Sequence, residues 1–311
     1  MLAAMPSAKA AGFTDWLADL KREAQAQGIS SATLTRAFQG VQPIERIVEL
    51  DRRQPEGRMT FREYRSRVLS DNRISTGQKL LAQHRSLLEQ VRGRFGVPPQ
   101  VVVALWGIES SYGTFKGKFG VIEALATLAF DGRRAELFRR ELISALKILD
   151  RAEITVEGMF GSWAGAMGQC QFMPSTYLHY AVDFDNDGRR DIWRSLPDVF
   201  GSTANYLAKS GWSSAELWGR EVRVPGSVDA GWLGLDKPVD LAVWQRRGVR
   251  RADGGALPGV VMDASLVMPD GNDGPSFLVY RNFRAIMTWN RSTYFALTVG
   301  LLADELASAA S

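Results

Sequence analysis

The sequence predicts a mainly α-helical protein with a small β subdomain, an α+β fold. Over most of the 311 residues, apolar side chains recur at three- and four-residue spacing, which is the pattern of amphipathic helices. Between residues 219 and 286 this spacing gives way to short β-branched runs separated by Gly, Pro and Asp clusters, as in strands joined by turns. The hydrophobic content of 45% and charged content of 23% are ordinary for a folded globular chain, so a sizeable core is expected.

Residues 13–97 are expected to form a helical domain. The apolar residues from Phe13 to Leu20 share one helical face. Segments 31–50 and 76–95 repeat the same spacing. Each of these segments therefore predicts at least one helix.

A second helical region, the core, is expected at residues 98–218. Pro98 and Pro99 open its first helix, because proline is tolerated in the first turn, and Gly113 is expected to end it. Further helices are predicted in the two halves of 121–150, which a Phe-Asp-Gly break at 130–132 separates, and in 197–209.

The β subdomain is expected at residues 219–286. Its strands are predicted in four short runs: 221–225, 239–244, 265–268 and 276–280. Helical spacing then returns at 292–306. The terminal segment 287–311 is therefore expected to form a helix that returns to the core.

Composition limits the classes of function and suggests a compartment. A formal charge of +4 with dispersed Lys and Arg favours acidic surfaces but contains no basic block typical of nucleic-acid binding. A single cysteine, Cys170, excludes an intramolecular disulfide, and two histidines without metal-binding spacing argue against a zinc site. Residues 1–12 contain an Ala-Lys-Ala-Ala run that resembles a signal-peptidase site. We interpret them as a leader remnant or a disordered tail, and the former predicts export.

Glu109 is the most informative single residue. It ends a run of eight uncharged, mostly apolar residues, 101–108, and Ser110 and Tyr112 follow it closely. Partial burial disfavours the ionised carboxylate and raises its pKa, which suits a general acid. The alternative interpretation is a structural carboxylate paired with an arginine at a helix end.

Two later runs supplement this acid. Residues 161–177 are rich in small residues and side-chain amides, which suits a polar groove. In 183–194, carboxylates alternate and glycine stands sixth, as at the start of an EF-hand loop. Side chains of Asp183, Asp185 and Asp187 and the carbonyl of Arg189 would ligate calcium. The twelfth position is arginine, which cannot bind a cation, so a turn without metal remains the alternative.

Several of these runs together resemble one known family. The sequence is similar to lytic murein transglycosylases, specifically the membrane-bound lytic transglycosylase B family, over about residues 13–306. The motifs that match, in the same order, are 106–113, 161–177, 183–188, 204–206 and 289–292. The resemblance implies a lysozyme-like helical core that cleaves the β-1,4 bond between N-acetylmuramic acid and N-acetylglucosamine in peptidoglycan without consuming water. It also implies that Glu109 acts alone, as acid and then base, and leaves 1,6-anhydromuramic ends.

The same resemblance implies the remaining site residues. It also implies a lengthened calcium loop, 183–198, in which Asp198 completes the ligand shell; Asp191 is an alternative. At 289 this chain has tryptophan where the family frequently has tyrosine. The positions that match substrate-binding residues are Ser162, Gln171, Tyr206, Asn290, Tyr294, Arg133 and Arg134.

Three functions stay open from the sequence. A lytic transglycosylase is favoured. A hydrolytic muramidase on the same fold would need a second carboxylate. A calcium-dependent glycan-binding protein would need no catalytic carboxylate. Candidates for that second carboxylate are Glu123, Asp131, Glu136 and Glu157. The expected partner is the peptidoglycan glycan strand and the expected compartment is the periplasm, with no nucleic acid and no organic cofactor. A monomer is expected, and an outer-membrane lipid anchor or a cell-wall enzyme complex remains open.

Overall fold

The structure, a computed structural model, describes residues 8–53, 59–226 and 228–308. The first helices in these residues are α1 (Ala8–Ala26), α2 (Ser31–Ala37), α3 (Glu45–Arg52), α4 (Phe61–Val68), α5 (Asp71–Gln83), α6 (Arg85–Phe95) and α7 (Pro99–Ser110). The later ones are α8 (Val121–Asp131), α9 (Ala135–Asp150), α10 (Pro174–Tyr180), α11 (Leu196–Lys209), α12 (Leu241–Arg246), α13 (Arg281–Trp289) and α14 (Thr293–Ser308).

The strands are few and short. They are β1 (Phe119–Gly120), β2 (Phe160–Gly161), β3 (Gly219–Arg223), β4 (Val239–Asp240), β5 (Arg250–Arg251), β6 (Asp263–Val267) and β7 (Ser276–Val279). The first two pair with each other, and the other five form one sheet in the order β4-β6-β7-β3-β5 with every pairing antiparallel. The predicted fold class, mainly α with a small β subdomain, is confirmed.

Contacts divide the chain into two units that differ from the predicted domains. Unit 1 contains residues 1–56 and 112–202, and unit 2 contains 57–111 and 203–311. The predicted domains 13–97 and 98–218 are therefore each split. Their boundaries followed composition along the chain, whereas the contacts join helices that are distant in sequence.

Unit 1 is built around the pair α8 and α9. Residues of α8 are buried almost without interruption from Val121 to Ala129, so this helix is apolar on all sides as a central helix should be. Helices α2 and α10 pack against α9, and α3 packs against α8. Thr127 of α8 also donates its hydroxyl to the Glu123 carbonyl and accepts from the Ile44 amide, 3.0 Å away.

Unit 2 is built around α7. Most of this helix is buried, and α14, α5 and α6 pack against it. The helix ends at Ser110, three residues before the predicted stop at Gly113. Ser111, Tyr112 and Gly113 all have positive φ, of 48°, 59° and 78°. Only glycine adopts such angles readily, so the two preceding residues are strained, at a cost of about 1–2 kcal/mol each.

The sheet of unit 2 has a core of its own. Leu266 of β6 lies opposite Leu278 of β7, and both are fully buried with Trp244 and Tyr280. The Trp244 indole donates to the carbonyl of Ala264, 3.0 Å away. The sheet therefore satisfies the polar atom of its largest buried side chain.

Several element boundaries were wrong at the sequence level. The predicted strand 239–244 is extended only to Asp240, whose side chain accepts from the Ala242 amide at 2.8 Å and so starts α12. Helix also returns at Arg281, inside the predicted β segment. Besides α12 and α13, two further helices, α4 and α10, were not predicted.

The N-terminal prediction is tested only in part. α1 begins at Ala8, within the expected tail 1–12, and residues 1–7 lie outside the described residues. Within the part of the chain that the structure describes, no helix is both long and apolar enough to cross a membrane.

Candidate active site

Glu109 is the penultimate residue of α7 and is half-buried. The helix before it is apolar, and Trp106, one turn earlier, is buried. Burial raises the pKa of Glu109 to about 7, and a hydrogen bond from Trp289 acts in the opposite direction. The group can therefore exist in both protonation states near neutral pH.

Trp289 is the direct partner of this acid. Its indole N–H donates to Glu109 Oε1, with a nitrogen–oxygen distance of 2.8 Å. Its ring packs edge-on against Tyr206 at a centroid distance of 4.8 Å. The Tyr206 hydroxyl donates to the Thr288 carbonyl at 2.7 Å, which ties α11 to the end of α13. The structure thus brings together Glu109 and the predicted residue Tyr206 through a residue that was not among the predicted binding residues.

One further tyrosine lies near the acid and contacts a second tyrosine. Burial and the charge of Glu109 raise the pKa of Tyr64 above its usual value. The ring of Tyr64 lies 5.9 Å from that of Tyr294, which was predicted from the resemblance. Sequence reasoning missed Tyr64, because it lies in the unpredicted helix α4, 45 positions before Glu109, and no local pattern links the two.

Asn290, also predicted to bind substrate, is exposed at the end of α13. Its Oδ1 accepts from the backbone amide of Ser292 at 3.0 Å. This bond shapes the turn between α13 and α14. The Nδ2 amide nitrogen of Asn290 takes no part in this bond.

Ser162 and Gln171 belong to unit 1, where both are half-buried. Ser162 Oγ accepts from the amides of Ala164 and Ala166 at 3.3 and 3.1 Å. Gln171 has a φ of 50° and donates its side-chain amide to the Gly168 carbonyl at 2.8 Å. Both side chains therefore help to order the loop that carries them, and their contact with substrate remains a prediction.

Arg133 and Arg134 surround a buried carboxylate of unit 1. Arg133 Nε lies 2.9 Å from Asp51 Oδ2, and Arg134 forms a salt bridge with the other carboxylate oxygen. The Asp51 side chain is 1% exposed, whereas those of the arginines are 48% and 40% exposed. The pair therefore compensates a buried charge, which is a structural role. Substrate binding by their exposed faces remains a prediction.

The acidic loop brings three carboxylates close together. One carboxylate oxygen each from Asp183, Asp185 and Asp187 lies within 4.8 Å of the other two. Positive φ at Asn186 and Gly188 turns the backbone around them. Oxygens of this kind are the ligands that calcium prefers, so the residues fit the ion.

Asp198, the proposed closing ligand, has other partners. It is fully buried, and its two oxygens accept from the amides of Phe184 and Asp191, each at 2.7 Å. Burial raises its pKa to about 6. These bonds tie the loop to the start of α11. The alternative ligand Asp191 caps the next turn, since its Oδ1 accepts from Trp193 and Arg194, each at 2.9 Å.

Comparison with known proteins identifies relatives over most of the chain. The family model described as "Transglycosylase SLT domain" matches residues 12–304. The chain is 33% identical to membrane-bound lytic murein transglycosylase B of Escherichia coli (strain K12) over 252 residues, which are 79% of this chain and 67% of that protein.

Solved structures agree with this result. SltB3 from Pseudomonas aeruginosa, solved with NAG-NAM-pentapeptide and with NAG-anhNAM-pentapeptide, has a TM-score of 0.92 and 47% identity over 95% of this chain and 79% of that one. The Escherichia coli lytic transglycosylase Slt35, solved with calcium, has a TM-score of 0.80 and 28% identity over 97% of this chain and 93% of that one. The similarity supports the lysozyme-like core expected from the sequence.

Proposed function

This chain belongs to the transglycosylase SLT domain family. We therefore propose that Glu109 cleaves the β-1,4 bond between N-acetylmuramic acid and N-acetylglucosamine without consuming water. The protein is a peptidoglycan lytic transglycosylase, as its relatives are. The observation that carries the finer proposal is the position of Glu109 at the end of a buried helix, with a pKa of about 7.

The first step requires the protonated acid. Glu109 donates its proton to the glycosidic oxygen, and the bond from that oxygen to the anomeric carbon of the muramic residue breaks. Positive charge develops on the anomeric carbon. The carbonyl of the substrate's own N-acetyl group stabilises it, so no second protein carboxylate is needed.

The second step uses the carboxylate just formed. Glu109 takes the proton from the C6 hydroxyl of the same sugar, and that oxygen bonds to the anomeric carbon. The products are a free 4-hydroxyl on N-acetylglucosamine and a 1,6-anhydromuramic end, and Glu109 is again protonated. A carboxyl that must give and then take a proton works best when its pKa lies near the working pH.

The test is mass spectrometry of muropeptides released from purified sacculi. Anhydro ends are expected, each lighter by one water than the reducing end that a muramidase would leave. The Glu109→Gln variant, with its fold checked by circular dichroism, is expected to release nothing. Reducing ends would show hydrolysis, and lysis by the variant would refute the role of Glu109.

We propose that the remaining resemblance-derived residues bind substrate. Tyr206 and Tyr294 have support from their aromatic contacts with Trp289 and Tyr64, since sugar rings pack on such surfaces. SltB3, which is 47% identical to this chain, was solved with NAG-NAM-pentapeptide and NAG-anhNAM-pentapeptide. This favours the same class of ligand here. The other proposed residues are Asn290, Ser162, Gln171, Arg133 and Arg134.

Calcium is a further proposal, supported by the three clustered carboxylates and by the calcium complex of Slt35. Asp183, Asp185 and Asp187, with the carbonyl of Arg189, would hold the ion. Its contribution would be structural, because it would cancel the repulsion among the carboxylates. In this proposal Asp198 braces the loop through its backbone bonds or, after rearrangement, completes the shell.

The proposed compartment is the periplasm, where peptidoglycan is accessible. The Escherichia coli relative is membrane-bound, which favours an exported protein. A monomer stays the expectation from the sequence, which leaves a lipid anchor and membership of a cell-wall enzyme complex open.

A further inference from the structure

We propose that Trp289 is a positioning residue that keeps the proton of Glu109 on Oε2, so that this oxygen both delivers and recovers the proton. The proposal rests on the proposed role of Glu109 as acid and base. It assigns to residue 289 a function that depends on its hydrogen bond to Glu109.

The geometry holds the indole in one place. Its N–H reaches Glu109 Oε1 at 2.8 Å, and its ring packs against Tyr206 with an interplanar angle of 65°. Tyr206 in turn donates to the carbonyl of Thr288, the residue before Trp289. Ring and backbone are therefore both anchored on α11, and the donor cannot easily turn away from the carboxyl group.

The chemistry of the donor decides where the proton lies. An indole N–H donates and cannot accept. Its partner Oε1 must therefore accept in both protonation states of Glu109. In the neutral acid the carbonyl oxygen is the better acceptor, so the bond favours Oε1 as the carbonyl oxygen and places the proton on Oε2. A tyrosine hydroxyl at this position could donate or accept, and would leave the proton free to occupy either oxygen.

Titratable groups on the other helices of unit 2 do not replace this contact. From α4, Tyr64 couples to the charge of Glu109 but is itself a phenol with a raised pKa. From α14, Tyr294 is directed to Pro269 and Asp270. At the junction of α5 and α6, His84 lies edge-on to Trp106. On α13, Arg284 is bound to the Ser265 hydroxyl at 2.8 Å.

The Trp289→Phe variant separates hydrogen bonding from packing by the sign of its effect. Loss of the donor removes a stabilising contact from the carboxylate, so the pKa of Glu109 rises. The pH at which kcat/KM falls on the alkaline side of its profile is then expected to rise by about one unit, with about a tenfold fall in kcat. Loss of packing alone would admit water and lower this pH. If the pH of this alkaline fall is unchanged or lower in Trp289→Phe, the proposal is overturned.

Two variants serve as matched controls. Trp289→Tyr keeps a ring and a donor. Its alkaline fall in kcat/KM is therefore expected at a pH between those of the wild type and Trp289→Phe. Trp232→Phe removes an indole from the sheet subdomain and is expected to leave the profile unchanged. A shift of equal size in Trp232→Phe would also contradict the proposal.

A measurement on the unaltered residue covers the case in which Trp289→Phe does not fold. The indole proton and nitrogen resonances of Trp289 are expected to titrate with a midpoint near that of Glu109, and not to titrate in Glu109→Gln. Absence of titration in the wild type would refute the contact. If the resonances titrate while Glu109→Gln still lyses sacculi, the contact holds and the proposed function fails.

Discussion

At the scale of single residues, two opposing effects set the state of Glu109. Burial disfavours its charge, and the Trp289 indole favours it. Burial is the larger effect, so the pKa is raised to about 7. The apolar run before Glu109 was sufficient to predict this direction. Trp289 lies 180 positions away, and no local pattern could identify it as the donor.

The raised pKa has a consequence for stability. A carboxyl group with a higher pKa in the folded state stabilises folding below its unfolded pKa and loses that contribution as pH rises to the folded value. For Glu109 the loss occurs between about pH 4.5 and 7. The neutral variant Glu109→Gln avoids it, and Gln keeps an acceptor for Trp289. We expect the variant to be more stable than wild type at pH 8, by at most about 3 kcal/mol because the side chain is half-buried.

Urea unfolding at pH 4 and pH 8 checks this prediction. The two proteins are expected to agree at pH 4 and to separate at pH 8. Equal stability of the two proteins at both pH values would mean that the carboxylate is well solvated in the folded protein. Burial would then not raise the pKa of Glu109.

At the scale of secondary structure elements, α14 packs against α7 in unit 2. α14 carries Gly300, where an added Cβ would lie 2.2 Å from the Trp218 ring. The glycine is therefore required by a close approach and not by its backbone angle. Periodicity predicted the helix, but only the fold shows which residue it meets.

A pair of glycine substitutions tests this contact. Gly300→Ala improves helix propensity but forces Trp218 to move, so we expect a net loss of about 1–3 kcal/mol. Gly93→Ala, at an exposed position in the last turn of α6, has no atom within 4 Å of the new Cβ. It is expected to gain up to about 1 kcal/mol. Thermal unfolding measures both, and equal effects at the two sites would contradict the packing argument.

The acidic loop gives a second prediction at this scale. Calcium at a concentration a hundredfold above its Kd is expected to stabilise the wild type by about 3 kcal/mol. Asp187→Asn keeps the acceptor for the Arg189 amide but removes one charge, so this stabilisation should largely disappear. Differential scanning calorimetry with calcium and with chelator measures the effect. Asp236→Asn is the matched control, and equal responses of both variants would refute the site.

At the scale of the whole molecule, the acid and its aromatic neighbours come from separate parts of the chain. Tyr64, Glu109, Tyr206 and Trp289 all lie in unit 2, which joins residues 57–111 to 203–311. Sequence order suggested instead that the helices after Pro98 form one continuous core. Composition shifts along the chain cannot reveal such a division, because contacts depend on which faces pack together.

The sequence by itself determined the fold class, the family, the acid and the acidic loop, because each depends on local patterns: periodicity, motif order, or a charge within an apolar run. Only the tertiary structure decided that Trp289 donates to Glu109, that Arg133 and Arg134 neutralise Asp51, and that Asp198 ties the acidic loop to α11. These roles depend on partners tens to hundreds of residues away. A side chain's hydrogen bonds and solvation are set by what the fold places beside it.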